Sequence, residues 1–345
     1  MADRIQVGVV THRQGAHQAA YFEALRDSHE AAGVALADLD GATAELAKKA
    51  LGDKLSGVYR DAGDMLKAVK PTLTLVTMEA AQAPDAIDAA LEAGSHVLAE
   101  KPSCVRSEDF ARLVQKAQSK HLQLMLAFAN RLHAPVQEAK RLVAAGRLGP
   151  LYGVEMHLVA DQTRLKSPEY HRSWFAHKDR AGGGYLIWLA IHWIDMAQFI
   201  LGRNIREVAG FTANVGGQPL DVEDAAAIAL QFEGGGVGTL AAGYFLDRGY
   251  QSHLQFWGER GWMRLAPTEE QPLEWYSRQG TEQPKIERFE YPKGDRGYTP
   301  FVQACVRFAA GKEPPPVTSE ESLHVLKTVF ACYRAAETRT AQKVI

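Results

Sequence analysis

The stretch AGSHVLAEKP, residues 93–102, decides the reading of the first third of the chain. It contains a helix end at Ala93-Gly94, a short apolar strand over 95–99, and a charged pair, Glu100-Lys101, halted by Pro102. The same rhythm extends to both sides. Strand patterns at 5–10, 34–39, 73–77 and 122–128 alternate with helical ones at 16–32, 43–50, 84–93 and 107–120. Such alternation predicts an α/β fold with a doubly wound parallel sheet and right-handed crossovers. Ligands in that architecture sit at the carboxyl ends of the strands, so Lys101 falls near a crevice and Pro102 fixes the backbone that aims it. Without other information, a lysine at a strand end is more often a solvated residue.

The pattern changes after a helical segment at 135–145 that stops at Gly146. Extended segments at 152–160, 205–215, 225–232, 237–245, 252–257 and 262–266 follow one another, with turn signals such as EGGG (233–236) and GERG (258–261) between some of them. A large, mostly antiparallel sheet is expected there. Between its first two strands lies GGGYLIWLAIHWIDMAQFILG, residues 182–202, an apolar helical run in which only His192 and Asp195 can do proton chemistry. Helical segments at 300–310 and 319–337 close the chain, joined by the connector EPPPV.

At 345 residues the chain is long enough for two domains. A formal net charge of −2 and an apolar fraction of 46% describe a globular protein with no polyanionic partner, so no nucleic acid is expected. The opening MADRIQVGVV has neither a basic n-region nor a long apolar h-region, and about 18 consecutive apolar residues occur nowhere, so no signal peptide and no membrane association are expected. Cys104, Cys305 and Cys332 have no CxxC spacing and suit a reducing, cytoplasmic setting.

The first turn, GVVTHRQGAH (8–17), runs from a strand through a loop to a helix start, which fits a dinucleotide site where backbone N–H groups hold a pyrophosphate. The GxGxxG spacing is absent. Gly8 and Gly15 remain, with Thr11, His12 and Arg13 between them, and an ordinary strand-to-helix loop is the plain alternative. Arg13 is a candidate phosphate partner. Asp38 follows the second strand, where a carboxylate accepts from both ribose hydroxyls and repels a 2′-phosphate, favouring NAD over NADP. Asp40 is close enough to take that role, and either residue can instead cap the helix beginning near Thr43.

Taken with Asn130-Arg131 before Pro135, RLVAAGRLGPLYGVE (141–155), the GGG…HxxD…LG run and the tail SEESLHVLKTVFACYRAAET (319–338), AGSHVLAEKP resembles the Gfo/Idh/MocA oxidoreductases over nearly the whole chain. The resemblance implies an N-terminal Rossmann domain at 1–128 and, at 129–345, an α/β substrate-binding domain whose open sheet builds homodimers or homotetramers. It implies NAD(P)-dependent hydride transfer to or from a hydroxyl carbon of a sugar, polyol or related compound. Lys101 would touch nicotinamide ribose and substrate, often beside a cis bond to the proline, and His192 would serve as acid/base. Thr77, Glu100 and Asn130 join the expected cofactor contacts, and Arg131 the substrate contacts.

An imidazole titrating near neutrality suits removal of a hydroxyl proton, and a lysine cation favours the developing alkoxide. Asp195, three residues beyond His192, can orient the ring; a packed, hydrogen-bonded pair is the plain alternative. Three features depart from the family pattern. Trp188 stands where many relatives carry an aspartate four residues before the histidine, TMEAAQAPD (77–85) lacks the Thr-Pro-x-x-His histidine, and the first loop is poor in glycine. Trp188 is then a candidate platform for a sugar ring. The segment YHRSWFAHKDRAGGGY (170–185) offers His171, Arg172 and Trp174 for substrate and Tyr185, seven residues before His192, as a further proton carrier. HxxD alone is weak as a metal signal, and no metal is expected. A lyase or glycoside-cleaving enzyme that holds NAD through a transient redox cycle is an alternative, as is a non-catalytic binding protein on the same fold.

Overall fold

The computed structural model describes residues 4–280, 283–290 and 297–345. The chain divides into two units, one comprising 1–129, 179–182 and 295–323, the other 130–178, 183–294 and 324–345.

The first unit is built on six strands, β1 (Ile5–Thr11), β2 (Ala31–Asp38), β3 (Leu55–Tyr59), β4 (Leu73–Thr77), β5 (His96–Ala99) and β6 (Leu124–Leu126), in the order β3-β2-β1-β4-β5-β6. All pairs are parallel. Helices α1 (Gln18–Arg26), α2 (Ala44–Leu51), α3 (Ala62–Val69), α4 (Ala83–Glu92) and α5 (Ser107–Ser119) connect them. This is the doubly wound sheet that the strand–helix rhythm predicts. The strand order reverses between β1 and β4, whose last residues, Thr11 and Thr77, are register partners. A crevice opens at such a switch point.

Two details differ from expectation. The first helix ends at Arg26, and β2 already begins at Ala31. The hydroxyl of Ser28 turns back to donate to the carbonyl of Ala24 at 2.7 Å, and AAGVALAD is buried at every position except Ala32, so the strand shows no alternation to set it apart from a helix. The edge pair β3 and α3 was not anticipated, because LSGVY is short and only half-buried.

The second unit contains α6 (Ala134–Ala144), β7 (Leu151–Asp161), α7 (Pro168–Arg172), the short α8 (Lys178–Ala181), α9 (Ile191–Leu201), β8 (Ile205–Ala213), β9 (Ala225–Phe232), β10 (Val237–Leu246), β11 (Tyr250–Gly258), β12 (Gly261–Leu265), β13 (Leu273–Ser277), β14 (Ile286–Arg288) and β15 (Gln342–Lys343). Of α8, only Lys178 lies in the second unit; residues 179–181 belong to the first. The nine strands form one sheet, β14-β13-β12-β11-β7-β10-β9-β8-β15, antiparallel throughout except where β10 runs parallel to β7. Along β7, Val154, Met156 and Leu158 turn inward, and α9, itself packed on α6, covers that strand. By length and composition the run Lys178–Leu201 could cross a membrane, but 78% of its apolar window is buried against protein, as in a core helix.

Helices α10 (Tyr298–Ala309) and α11 (Ser319–Thr338) close the chain. The expected division at 128/129 assigned both to the second domain. Instead α10 packs on α1, burying Phe301, Val302, Cys305 and Val306, and it belongs to the first unit. The start of α11 is tied there too: the Ser319 and Ser322 hydroxyls accept the backbone N–H groups of Leu124 and Leu126, at 2.8 and 3.1 Å. These bonds satisfy donors that edge strand β6 would otherwise leave open.

Candidate active site

In the first unit the loop between β1 and α1 is stitched to the switch point. Thr11 Oγ1 donates to the Thr77 carbonyl at 3.0 Å, Thr77 Oγ1 donates to the Ala16 carbonyl at 2.7 Å, and Gln18 Nε2 donates to Thr11 Oγ1 at 2.7 Å. A side chain at Gly15 would fall on Thr11, Thr77 and Gln18, so this glycine permits the close approach. Gly8 was expected at the cofactor, but it lies inside β1 with Met65 and Pro71 against it. A Cβ there would stand 2.9 Å from Met65 Cε, so its missing side chain serves the packing beside α3.

His12 bridges this loop to the turn after β4. Its Nε2 faces the Glu79 N–H at 3.1 Å and its Nδ1 the Gln14 N–H at 3.2 Å. Burial pushes the imidazole below its usual range against the pull of the Glu79 and Asp40 charges. Glu79, in the turn after β4, is buried and paired with Arg180.

The two candidate ribose carboxylates have different duties. Asp38 is fully buried and caps α2, with Oδ2 accepting the N–H groups of Thr43 and Ala44 at 2.8 and 3.0 Å. Asp40 is exposed at the loop. It accepts the Arg13 N–H at 3.1 and 3.2 Å, and backbone N–H groups together with the Arg13 charge hold its carboxyl below the usual range despite some desolvation. Arg13 is itself exposed, its Nε 4.0 Å from Asp40.

At the end of β5 both charges of Glu100-Lys101 are buried, at 2% and 1% exposure, and the bond from Lys101 to Pro102 is cis. Glu100 Oε2 accepts from the Tyr21 hydroxyl and lies 3.3 Å from His17 Nδ1. Glu100 Oε1 is 3.9 Å from Lys101 Nζ. Burial pushes the Glu100 carboxyl up, but the His17 hydrogen bond, the charges of His17 and Lys101, and the Tyr21 hydroxyl outweigh it and hold the group below its usual range.

In the second unit the GGG turn is clamped by Glu223, a residue that sequence reading did not single out. Its carboxylate accepts the N–H groups of Gly184 and Leu186 at 2.7 and 2.9 Å and the Tyr333 hydroxyl at 2.8 Å. Burial raises its pKa, countered in part by those donors. Side chains at Gly183 and Gly184 would run into Tyr333 and the Glu223 backbone. The GGG motif was its only sequence signal.

From this turn the chain enters a π-helical turn, Leu186–Ala190, before α9 begins. The wider turn changes the helical phase, so the i, i+7 relation drawn between Tyr185 and His192 does not hold. Tyr185 is 1% exposed, donates to the Leu158 carbonyl at 3.0 Å and meets Tyr244 edge-on; burial raises its pKa strongly. That arrangement makes it a core tyrosine rather than a proton carrier. Trp188, within the π turn, packs edge-to-face on Phe175 and Trp174 with centroids 4.4 and 5.7 Å apart. Trp174 is fully buried in this cluster, which leaves it no face for a substrate.

Arg131 is buried also. Its Nε and Nη2 donate to Asp195 at 3.0 and 2.7 Å, so the guanidinium expected at substrate and the carboxylate expected behind His192 hold each other. His192 sits partly exposed in the first turn of α9, and Asn130 is half-buried before α6. In the segment after β7, His171 Nε2 lies 2.6 Å from the Leu165 carbonyl, and Arg172 is exposed. Among the described residues no group of three His, Cys, Asp or Glu side chains could hold a metal ion.

Residues 5–128 match the oxidoreductase family with an NAD-binding Rossmann fold, and residues 136–264 match the GFO/IDH/MocA C-terminal domain. The chain belongs to the Gfo/Idh/MocA family. Its relatives include a myo-inositol 2-dehydrogenase from Thermotoga maritima, 22% identical, with 83% of this chain and 84% of that protein covered. A D-glucoside 3-dehydrogenase from Escherichia coli is 26% identical, with 83% of each covered. A levoglucosan dehydrogenase solved in complex with NADH shares the fold at a TM-score of 0.87 and 18% identity, covering 99% of both chains.

The Gfo/Idh/MocA oxidoreductases bind NAD, and this chain's residues fit it. The switch point, the α1 N-terminus and the exposed Asp40 carboxylate supply the groups that the cofactor's ribose and pyrophosphate require. Glu100 Oε1 is buried without a hydrogen-bond partner in the protein, an acceptor suited to a ribose hydroxyl.

Proposed function

We propose that this Gfo/Idh/MocA oxidoreductase moves a hydride to or from a CH–OH carbon of a sugar, polyol or related compound. The observation that carries the reading is the ammonium of Lys101, withdrawn from water at the carboxyl end of β5 beside the Glu100 carboxylate. In a dry setting a fixed cation stabilises a developing alkoxide far more than it would in solvent. Bound NAD supplies the hydride acceptor or donor. Lys101 polarises the substrate oxygen, and His192 takes up or returns its proton. The activities named for the dehydrogenase relatives support a carbohydrate-like substrate.

The carboxylates at the end of β2, Asp38 with a buried Oδ1 that has no hydrogen-bond partner and Asp40 exposed on the loop, are the acceptors for the adenosine ribose and favour NAD over NADP. Exposed Phe211 and Val237 on the nine-stranded sheet support a homodimer or homotetramer, and three buried free thiols suit a cytoplasmic setting. The test is nicotinamide absorbance with a panel of sugars and polyols. Turnover is expected with at least one compound and should fall about 10²-fold or more in Lys101→Ala and in His192→Ala. No hydride transfer across the panel, or full activity in both variants, would overturn the reading.

A further inference from the structure

His17 lies just outside every role assigned above, yet it faces the buried carboxylate beside Lys101. It ends the first loop as the N-cap of α1, in the left-handed region at φ 58°. Its side chain is 37% exposed, while that of Glu100 is 1% exposed. Nδ1 stands 3.3 Å from Glu100 Oε2 and 3.0 Å from the Tyr298 hydroxyl, and the His17 and Tyr298 rings are 4.7 Å apart. The Tyr21 hydroxyl donates to the same Oε2, and Tyr21 meets Tyr298 edge-on at 4.9 Å. Glu100 is thus faced by His17 and Tyr21 from the start of the first helix, by Tyr298 from α10, and by Lys101 from its own strand end.

We propose that His17 is a positioning residue for Lys101: with Tyr21 and Tyr298 it anchors one oxygen of Glu100, leaving the other turned toward the Lys101 ammonium. A buried carboxylate keeps its charge only if donors compensate for lost water. Donors gathered on Oε2 do that and fix the carboxyl plane, so Oε1 stays 3.9 Å from Nζ. The contact is ionic in length. Without the anchor, Glu100 can rotate or take a proton, and Lys101 loses a fixed negative charge beside it in a dry site. Tyr21 and Tyr298 stay neutral as donors, because burial and the Glu100 charge push both phenols well above their usual range.

The backbone of His17 shows how to remove the ring without straining the loop. Glycine adopts φ 58° freely, and asparagine tolerates it while placing an amide N–H near the position of Nδ1. His17→Gly therefore deletes the anchor, and His17→Asn restores a neutral one.

This role rests on Lys101 acting at the substrate oxygen, as proposed above, but its test needs no turnover. Lys101 Nζ is followed by NMR of lysine-labelled protein across pH, with the resonance assigned by its loss in Lys101→Arg. In Glu100→Gln and His17→Gly the pH at which Nζ loses its proton should fall by about one unit or more, and His17→Asn should return it most of the way. An unchanged Lys101 titration in His17→Gly, in protein whose circular dichroism matches the parent, overturns the proposal. So does a shift in His17→Gly that His17→Asn leaves uncorrected. Failure of the sugar panel with the expected Lys101 shifts intact would instead count against the dehydrogenase reading alone.

Discussion

A guanidinium and a carboxylate removed together from water stabilise little beyond the cost of desolvating them, yet each depends on the other. Arg131 and Asp195 are such a pair, bonded through two nitrogens at 2% and 1% exposure. The Arg131 guanidinium also lies 4.8 Å from the Phe199 ring. Removing one partner leaves an uncompensated buried charge, so Arg131→Met or Asp195→Asn should each cost about 3–5 kcal/mol in urea unfolding. Arg131→Met with Asp195→Leu should recover much of that loss, because no charge remains to be desolvated. If the double variant is as unstable as the sum of the singles, the pair is not the source of the effect. Both residues were visible in the sequence as site candidates; their mutual commitment was not, because 64 positions separate them.

Glu223 sets the start of the helix that carries His192 through three donors converging on one carboxylate. Glu223→Ala orphans the Gly184 and Leu186 N–H groups at about 1–3 kcal/mol each, so amide exchange at 184 and 186 should rise more than at other helix starts. Gly184→Ala should destabilise by a comparable amount, since its Cβ has no room beside the Glu223 backbone. Slow exchange at 184 and 186 in Glu223→Ala would refute the clamp. These elements also show where sequence reading succeeds and where it stops. The parallel sheet was legible because apolar strands alternate with long amphipathic helices, and Lys101 because it ends one of those strands. The π turn left no such trace, and it removed Tyr185 from the face that 3.6-residue periodicity assigned it. Nor could periodicity show that α10 packs on α1, since an amphipathic helix records that it is covered and not what covers it.

Acid should loosen the protein along a route that its histidines define. Burial depresses the pKa of His12, His96 and His324 in the folded chain, so between those folded values and about 6.5 the unfolded chain binds more protons. Stability is therefore lost as pH falls through 6.5, the reverse of a histidine that gains an acidic partner on folding. Glu223, raised by burial, opposes this only where its own proton is taken up, nearer the carboxylate range. The thermal midpoint should thus drop between about pH 7.5 and 5.5. At His12 the loss acts on the first loop. A neutral imidazole offers one acceptor nitrogen, to the Glu79 N–H or to the Gln14 N–H, whereas an imidazolium offers none. With Nε2 as that acceptor, protonation cuts the loop before α1 from the turn after β4, and both border the switch point. Hydrogen exchange at 12–17 and 78–81, corrected for the intrinsic rate, should rise as the pH falls below about 6.5 while the β1 and β4 amides stay protected. His12→Gln keeps a carbonyl acceptor at every pH and should abolish the acid-induced rise. If exchange in that variant still climbs as steeply as in the parent, His12 is not the group that titrates.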